Sequence, residues 1–126
     1  MAKKVAYQAE YVIRSSPGIL YGFLTTPSGL AQWFADGVDI EESKCVFTWE
    51  GYDEVAIILD AIESEYIRYK WEESEDDEYF EFKIEKAEVT GDTILIITDF
   101  AYDFEIDDQK LLWDSQVKQL IQQIGG

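Results

Sequence analysis

The sequence predicts an α+β domain that consists of a strand, two short helices, an antiparallel sheet and a long C-terminal helix. Three observations carry that prediction: a strand-like segment followed by two short helical segments, then about sixty residues of period-two pattern, then an apolar stripe at helical spacing. The later strand-like segments have only short connections, so we expect them to pair as an antiparallel meander and not through βαβ crossovers.

The first segments indicate a strand and two helices. Apolar and aromatic residues occupy the odd positions of residues 5–13, which is typical of a half-buried strand. Ser16 is followed by proline at the first helical position, and apolar residues at helical spacing continue until the chain reaches Pro27. A second short helix is predicted after it, with Ser28 as its cap and a turn ending at Gly37.

The segments after Gly37 predict the sheet. The predicted strands cover residues 38–41, 44–50, 54–62, 65–73, 79–88 and 93–101. Residues 54–62 are apolar on both faces, which indicates a central strand. The single cysteine, Cys45, is predicted to be a small buried apolar residue.

The last segment predicts the long helix. Asp107 or Asp108 suits its N-cap, and Gly125 and Gly126 end it. Its apolar stripe consists of Trp113, Val117, Leu120, Ile121 and Ile124. Internal repeats and linkers are absent from the pattern, so we expect residues 1–126 to form a single domain.

The charge and the residue types that are missing restrict the function. With 10 basic and 27 acidic residues, the net charge is -17, and nucleic acid or an anionic membrane surface is not an expected partner. Neither a membrane span nor a signal peptide is found, which predicts a cytoplasmic protein. Histidine is absent, which excludes Ser-His-Asp and Cys-His catalysis and histidine-ligated zinc or haem, and no cofactor or metal is expected.

Charged residues supply only weak candidates for chemistry. The acidic residues of 72–78 lack the ligand spacing of a calcium loop and are predicted to be a solvated hairpin tip, and those of 99–108 are predicted to cap the final helix. Arg14 and Arg68 are predicted to point to solvent. Asp60, which interrupts the apolar segment of its strand, is the one residue named for acid–base catalysis, and only if it is buried.

Large aromatic residues lie at inward positions of the predicted helices and strands. In a domain of this size they either fill the core or line a hollow between sheet and helix, and periodicity does not distinguish the two. The residues predicted to line such a hollow are Phe23, Leu24, Trp33, Phe34, Trp49, Tyr69, Trp71, Phe82, Trp113 and Val117. Trp33 and Phe34 are placed near its mouth, with Phe23 and Leu24 closing one end.

The stretch SSPGILYGFLTTPSGLAQWFAD resembles the N-terminal signature of the family related to the C-terminal domain of the Hsp90 ATPase activator. The matching positions are Ser16, Pro17, Tyr21, Leu24, Thr25, Pro27, Leu30, Trp33 and Phe34. The end of the chain, KLLWDSQVKQLIQQIGG, is similar to that family's closing helix. The resemblance implies the helix-grip fold of the START-like (SRPBCC) superfamily, in which a curved antiparallel sheet wraps around a long C-terminal helix. Some members of that superfamily bind lipids or polyketide-like molecules between sheet and helix.

These observations favour a protein that binds a small hydrophobic molecule without catalysis. One alternative is a protein-interaction module, which either docks a basic partner through its acidic sheet surface, in the manner of a co-chaperone, or forms a homodimer through its aromatic surface. The other is an enzyme that uses carboxylate, tyrosine or lysine chemistry in the cavity. The histidine-dependent catalysis of some relatives is excluded for this protein, because the chain has no histidine.

Overall fold

The computed structural model describes residues 3–125 and contains a seven-stranded antiparallel sheet with three helices. The strands are β1 (Val5–Ile13), β2 (Gly37–Glu41), β3 (Lys44–Trp49), β4 (Tyr52–Ile62), β5 (Tyr66–Trp71), β6 (Phe80–Lys86) and β7 (Thr93–Ala101). The helices are α1 (Pro17–Thr25), α2 (Pro27–Leu30) and α3 (Ile106–Ile124), and a short 3₁₀ turn at Asp103–Glu105 precedes α3. The sheet order is β1-β7-β6-β5-β4-β3-β2, which confirms the predicted α+β architecture.

The period-two pattern correctly identifies the inward face of most strands. On β6, Phe80, Phe82 and Ile84 are buried, while the residues between them are more exposed. On β3, Cys45 is fully buried, and this burial raises the pKa of its thiol to about 11. Cys45 is therefore the small buried residue that the sequence predicts, and its thiol is protonated at neutral pH.

Residues 54–62 form an interior strand of the sheet, as their apolar pattern predicts, but the outer face of this strand is exposed. β4 lies inside the sheet, between β3 and β5, but Leu59 is 50% exposed and Ile62 is 44% exposed. A register shift between Ile58 and Asp60 interrupts the pairing with β5 at the same place. The apolar run reflects the preference of β-branched and aliphatic residues for strands, not burial on two sides.

Asp60 is exposed, which removes the catalytic role considered for it. Its carboxylate accepts hydrogen bonds from the Tyr66 hydroxyl and from the backbone N–H of Ala61. A carboxyl group in contact with solvent lacks the burial that general acid–base catalysis at neutral pH would require of it. The enzyme alternative therefore loses the residue on which it depended.

The helix caps differ from the prediction in two places. Thr26, not Ser28, caps α2: its hydroxyl oxygen accepts a hydrogen bond from the Gly29 N–H at 3.0 Å, and Pro27 takes the first helical position. Asp107 and Asp108 do not cap α3 but lie in its first turn, where their negative charge is favourable next to the helix dipole.

The end of α3 and the charged turns follow the prediction. Gly125 ends the helix in a left-handed conformation with φ of 88°, and Gly126 lies outside the described residues. Most carboxylates of residues 72–78 are exposed in the β5–β6 connection. Arg14 is exposed, whereas Arg68 is half-buried and donates two hydrogen bonds, at 2.9 and 3.1 Å, to one carboxylate oxygen of Glu81.

Within residues 3–125, every helix is too short or too polar to cross a membrane.

Candidate functional site

Phe34 lies at the centre of an aromatic cluster between the sheet and α3. It belongs to the segment of residues 26–36, which we call the strap, and its side chain is 4% exposed. Its ring centroid is 5.0 to 6.5 Å from those of seven other rings. The seven are Trp33, Phe47, Trp49, Trp71, Phe80, Phe82 and Trp113. The Phe34 side chain thus occupies the middle of the region in which the sequence predicts a ligand-binding hollow.

The ten residues predicted to line a hollow all lie in or against one core. The fully buried members are Leu24, Trp33, Phe34, Tyr69, Phe82, Trp113 and Val117, and the half-buried members are Phe23, Trp49 and Trp71. Phe47 and Phe80 belong to the same cluster but were not among the ten. Both occupy inward positions of strands, so the period-two pattern carried the signal that would have added them.

Side-chain donors from the sheet, from α3 and from the strap itself bind backbone carbonyls around the strap. The Trp33 indole Nε1 donates to the carbonyl of Phe23 at 2.7 Å. Trp49 Nε1 and Gln116 Nε2 both donate to the carbonyl of Phe34, at 3.0 and 3.1 Å. These bonds satisfy carbonyls that helix α1 and the irregular chain after α2 would otherwise leave unpaired, and they hold Phe34 in the cluster.

Tyr69 makes the corresponding bond from β5. Its hydroxyl donates to the carbonyl of Leu24 at 2.8 Å, in a fully buried position. Burial raises the pKa of Tyr69 well above its ordinary value, so the hydroxyl is protonated and available as a donor at neutral pH. The last turn of α1 is thereby tied to the middle of the sheet.

Replacing Tyr69 with phenylalanine is expected to lower the free energy of unfolding by about 1–3 kcal/mol, because the buried Leu24 carbonyl would lose its donor. Urea unfolding followed by tryptophan fluorescence measures the change. Tyr52→Phe is the matched control, since Tyr52 is exposed on β4. Equal effects of the two substitutions would contradict the role given to the Tyr69 hydroxyl.

Within residues 3–125, two of the hollows that open at the surface are lined in part by residues of the aromatic cluster. The larger, which we call the groove, has a volume of about 730 Å³ and lies where the start of α3 and the end of β7 face the start of β4 and the β5–β6 connection. Trp71 contributes to its wall. The smaller hollow, of about 350 Å³, lies beside the strap and is lined in part by Trp33, Phe34 and Trp49. The predicted mouth residues thus border the smaller hollow, at a different place from the groove.

Asp99 is a half-buried carboxyl that lines the groove and bonds to the core behind it. The Tyr7 hydroxyl and Trp113 Nε1 donate to its Oδ2 atom at 3.3 and 3.1 Å, and the Phe100 N–H donates to Oδ1 at 2.8 Å. Burial raises the pKa of Asp99, and these donors partly oppose that rise. Asp99 takes part in none of the four ion pairs among residues 3–125.

Sequence reasoning missed Asp99, because it assigned residues 99–108 as a group to helix capping. Asp99 belongs to β7 instead, on the same face as the buried Leu95 and Ile97. It also pairs directly with Tyr7 across β1 and β7. A carboxylate at an inward position of a strand, opposite an inward tyrosine, was the available signal.

Asp99→Asn is expected to flatten the pH dependence of stability. Because the folded-state pKa of Asp99 is raised, the folded chain binds this proton more readily than the unfolded chain. The stability that results is fully present below the unfolded pKa and is lost as the pH rises through the folded pKa. Urea unfolding at several values between about pH 4 and pH 7 should show a smaller decline in the variant than in the wild type.

The control for that experiment is Asp39→Asn, which removes one exposed carboxylate of β2. It changes the net charge by the same amount without touching the Tyr7–Trp113 bonds. Parallel pH profiles for Asp99→Asn and the wild type would contradict the assigned burial of this carboxyl.

Comparison with known proteins identifies the family. The model of a START-like superfamily domain matches residues 1–126. The chain belongs to the START-like superfamily. A search of curated proteins found no significant match. The START-like superfamily that the resemblance of residues 15–36 and of the closing helix implies is therefore confirmed over the whole chain.

Solved structures give the same fold for this START-like domain. A Bacteroides fragilis protein solved by NMR is 38% identical, with a TM-score of 0.69 over 96% of this chain and 91% of that one. The Aha1 dimer from Colwellia psychrerythraea is 19% identical, with a TM-score of 0.75 over 92% of each chain. A crystal structure from Mesorhizobium loti is 16% identical, with a TM-score of 0.76 over 94% of this chain and 95% of that one.

The helix-grip arrangement of the START-like domain rests on α3. Trp113, Val117 and Leu120 are the buried residues of this helix. The Trp113 ring lies 5.9 Å from the rings of Phe34 and Phe82, so helix, strap and sheet meet at one point. The aromatic cluster fills the space between the sheet and α3.

Proposed function

We propose that this START-like domain binds a small, mostly apolar molecule, without catalysis, in the groove between the start of α3 and the sheet. The observation that carries the proposal is the continuity of the groove with the aromatic cluster through Trp71, which belongs to both. The groove's volume of about 730 Å³ falls in the range of small-molecule sites, about 300–1,000 Å³. Tyr79, Phe100 and Tyr102 add further aromatic surface to it.

The predicted site residues take two different roles in this proposal. Trp71 contacts the ligand at the groove, and Phe82 and Trp113 lie behind it in the cluster. A ligand that extends into the cluster displaces Phe34, because the Phe34 ring fills the centre. The other predicted residues hold α1 and the strap in place or fill the core beside them; they are Phe23, Leu24, Trp33, Trp49, Tyr69 and Val117.

Filling the groove tests the proposal. Gln109 lines the groove from α3, and Gln119 lines the smaller hollow from the same helix. We expect Gln109→Trp to weaken the binding of Nile red, an uncharged polarity-sensitive dye, by about tenfold or more, which corresponds to 1.4 kcal/mol. Gln119→Trp introduces the same side chain at the smaller hollow and should leave the affinity unchanged. Fluorescence titration measures both.

The reverse result would show that the ligand binds beside the strap and not in the groove. If Gln119→Trp abolishes dye binding and Gln109→Trp does not, the ligand enters beside Trp33 and Phe34, where the sequence alone placed the mouth. If the wild-type protein shows no saturable binding of Nile red, ligand binding at the groove is wrong.

A second candidate function is protein interaction, and exposed apolar residues near α3 favour it. Phe104 is 79% exposed in the turn before α3, and Leu111 and Leu112 are exposed on the helix. Light scattering across a range of concentrations tests the homodimeric form: a Phe104→Ser, Leu111→Ser variant that remains as associated as the wild type would contradict it.

In either function we propose that the protein acts in the cytoplasm, and fractionation of its host cells would test this.

A further inference from the structure

The lining of the groove is strongly unbalanced in charge. Eight carboxylate residues line it, against one lysine, Lys4. The eight are Asp53, Glu54, Glu72, Glu73, Glu75, Glu78, Asp99 and Glu105. A concave surface lined by one sign of charge concentrates ions of the opposite sign and disfavours ions of its own. An anionic amphiphile is therefore a poor occupant of this groove.

Lys4 places its own ammonium group in the groove. Its Nζ atom is 3.9 Å from the Glu78 carboxylate and 5.5 Å from the centroid of the Tyr102 ring. An ammonium group within about 6 Å of an aromatic centroid is attracted by the ring's electron-rich face. The chain's own alkylammonium thus takes up the arrangement, between a carboxylate and an aromatic face, that an organic cation would use.

Asp99 provides a second position for positive charge, deeper than Lys4. Its three hydrogen-bond donors, from Tyr7, Trp113 and the backbone of Phe100, are all uncharged. The charge of Lys4 acts on Asp99 from a distance but forms no ion pair with it. A ligand that brings a cation into contact with this half-buried carboxylate therefore gains more there than at an exposed carboxylate.

We propose that the ligand of the groove is a small amphiphilic organic cation, with its nitrogen near Asp99 and Glu78 and its apolar part against Trp71. This inference rests on the proposed function, since it assigns a charge to the ligand of that site. Aromatic rings in the wall distinguish the site from one for a divalent metal ion, which takes oxygen ligands and water. The combination of rings and carboxylates is suited to an alkylammonium.

Three probes with one tail and different headgroups test the charge. They are decyltrimethylammonium, decyl maltoside and decyl sulfate, each used below its micelle-forming concentration at about 0.15 M salt to screen the long-range field of the chain. We expect the cationic probe to bind about tenfold more tightly than the uncharged one, and the anionic probe to bind most weakly. Isothermal titration calorimetry measures the three affinities.

Five variants, two of them controls, locate the effect in the groove. Asp99→Asn and Glu78→Gln should each lower the ratio of the affinity for the cationic probe to the affinity for decyl maltoside. Glu63→Gln removes an exposed carboxylate that does not line the groove and is their control. Lys4→Met should strengthen binding of the cationic probe more than Lys3→Met, because only Lys4 lines the groove.

The outcomes separate this inference from the proposed function. If decyl maltoside binds as tightly as the cationic probe, the groove takes apolar molecules and the cationic assignment is wrong. If none of the three probes binds, the proposed function fails with it. If a lysine-rich peptide binds while decyltrimethylammonium does not, the partner is a protein and the inference is overturned.

Discussion

Replacing Phe34 with alanine is expected to lower the free energy of unfolding by about 3–5 kcal/mol, the range found for truncating a large buried aromatic residue. Phe34 is 4% exposed and its ring contacts seven others, so the vacated space has no neighbour that fills it without moving the strap. Chemical denaturation measures the loss. Phe104→Ala is the matched control, because Phe104 is 79% exposed and its truncation should cost less than about 0.5 kcal/mol.

A Phe34→Ala effect as small as that of Phe104→Ala would show that the strap does not hold its ring in the cluster. Where the variant stays folded, it also connects the groove to a new interior space. Nile red should then bind more tightly to Phe34→Ala than to the wild type, since the site that the ring occupies is free for a ligand.

Replacing Gly29 with alanine is expected to destabilise the domain by about 1–3 kcal/mol or more, because there is no room for a side chain between α2 and α1. A Cβ atom on Gly29 would lie 2.3 Å from the Gly22 carbonyl oxygen, 2.7 Å from the Cα of Phe23 and 2.8 Å from the Thr26 hydroxyl. Two of these atoms belong to the backbone, so relief requires the two helices to separate. Thermal and urea unfolding measure the change.

Gly22→Ala supplies a control with the opposite expected sign. Gly22 lies within α1, and a Cβ atom there would have nothing within 4 Å. Alanine in the interior of a helix is more favourable than glycine by about 1 kcal/mol, so this variant should be more stable than the wild type. If both alanine variants change stability in the same direction, the close contact between α1 and α2 is wrong.

Most of the fold could be predicted from the sequence because its strands alternate cleanly. On β5, Ile67 and Tyr69 are buried and Trp71 is half-buried, as the period-two pattern requires. The pattern failed where composition and burial diverge: Leu59 and Ile62 are apolar but exposed. Apolar residues in a strand report a preference for extended backbone as well as burial, and pattern alone does not separate the two.

The candidate site was only partly predictable, for physical reasons. The aromatic residues of the cluster follow from their inward positions, but whether they enclose a space depends on Phe34, whose position is set by hydrogen bonds from Trp49 and Gln116. The groove brings together residues from the start of the described chain, the start of β4, the β5–β6 connection, the end of β7 and the start of α3. The contact between Lys4 and Glu78 therefore depends on sheet pairing over a long sequence separation, which local spacing does not encode.

The most direct test of ligand binding at the groove is an NMR titration that follows the four tryptophan indole N–H signals. Trp71 lines the groove and Trp113 donates to Asp99, whereas Trp33 and Trp49 line the smaller hollow. Binding of decyltrimethylammonium in the groove predicts saturable shifts of the Trp71 and Trp113 signals, with smaller changes at Trp33 and Trp49. Shifts confined to Trp33 and Trp49, or no saturable shift at any of the four, would contradict it.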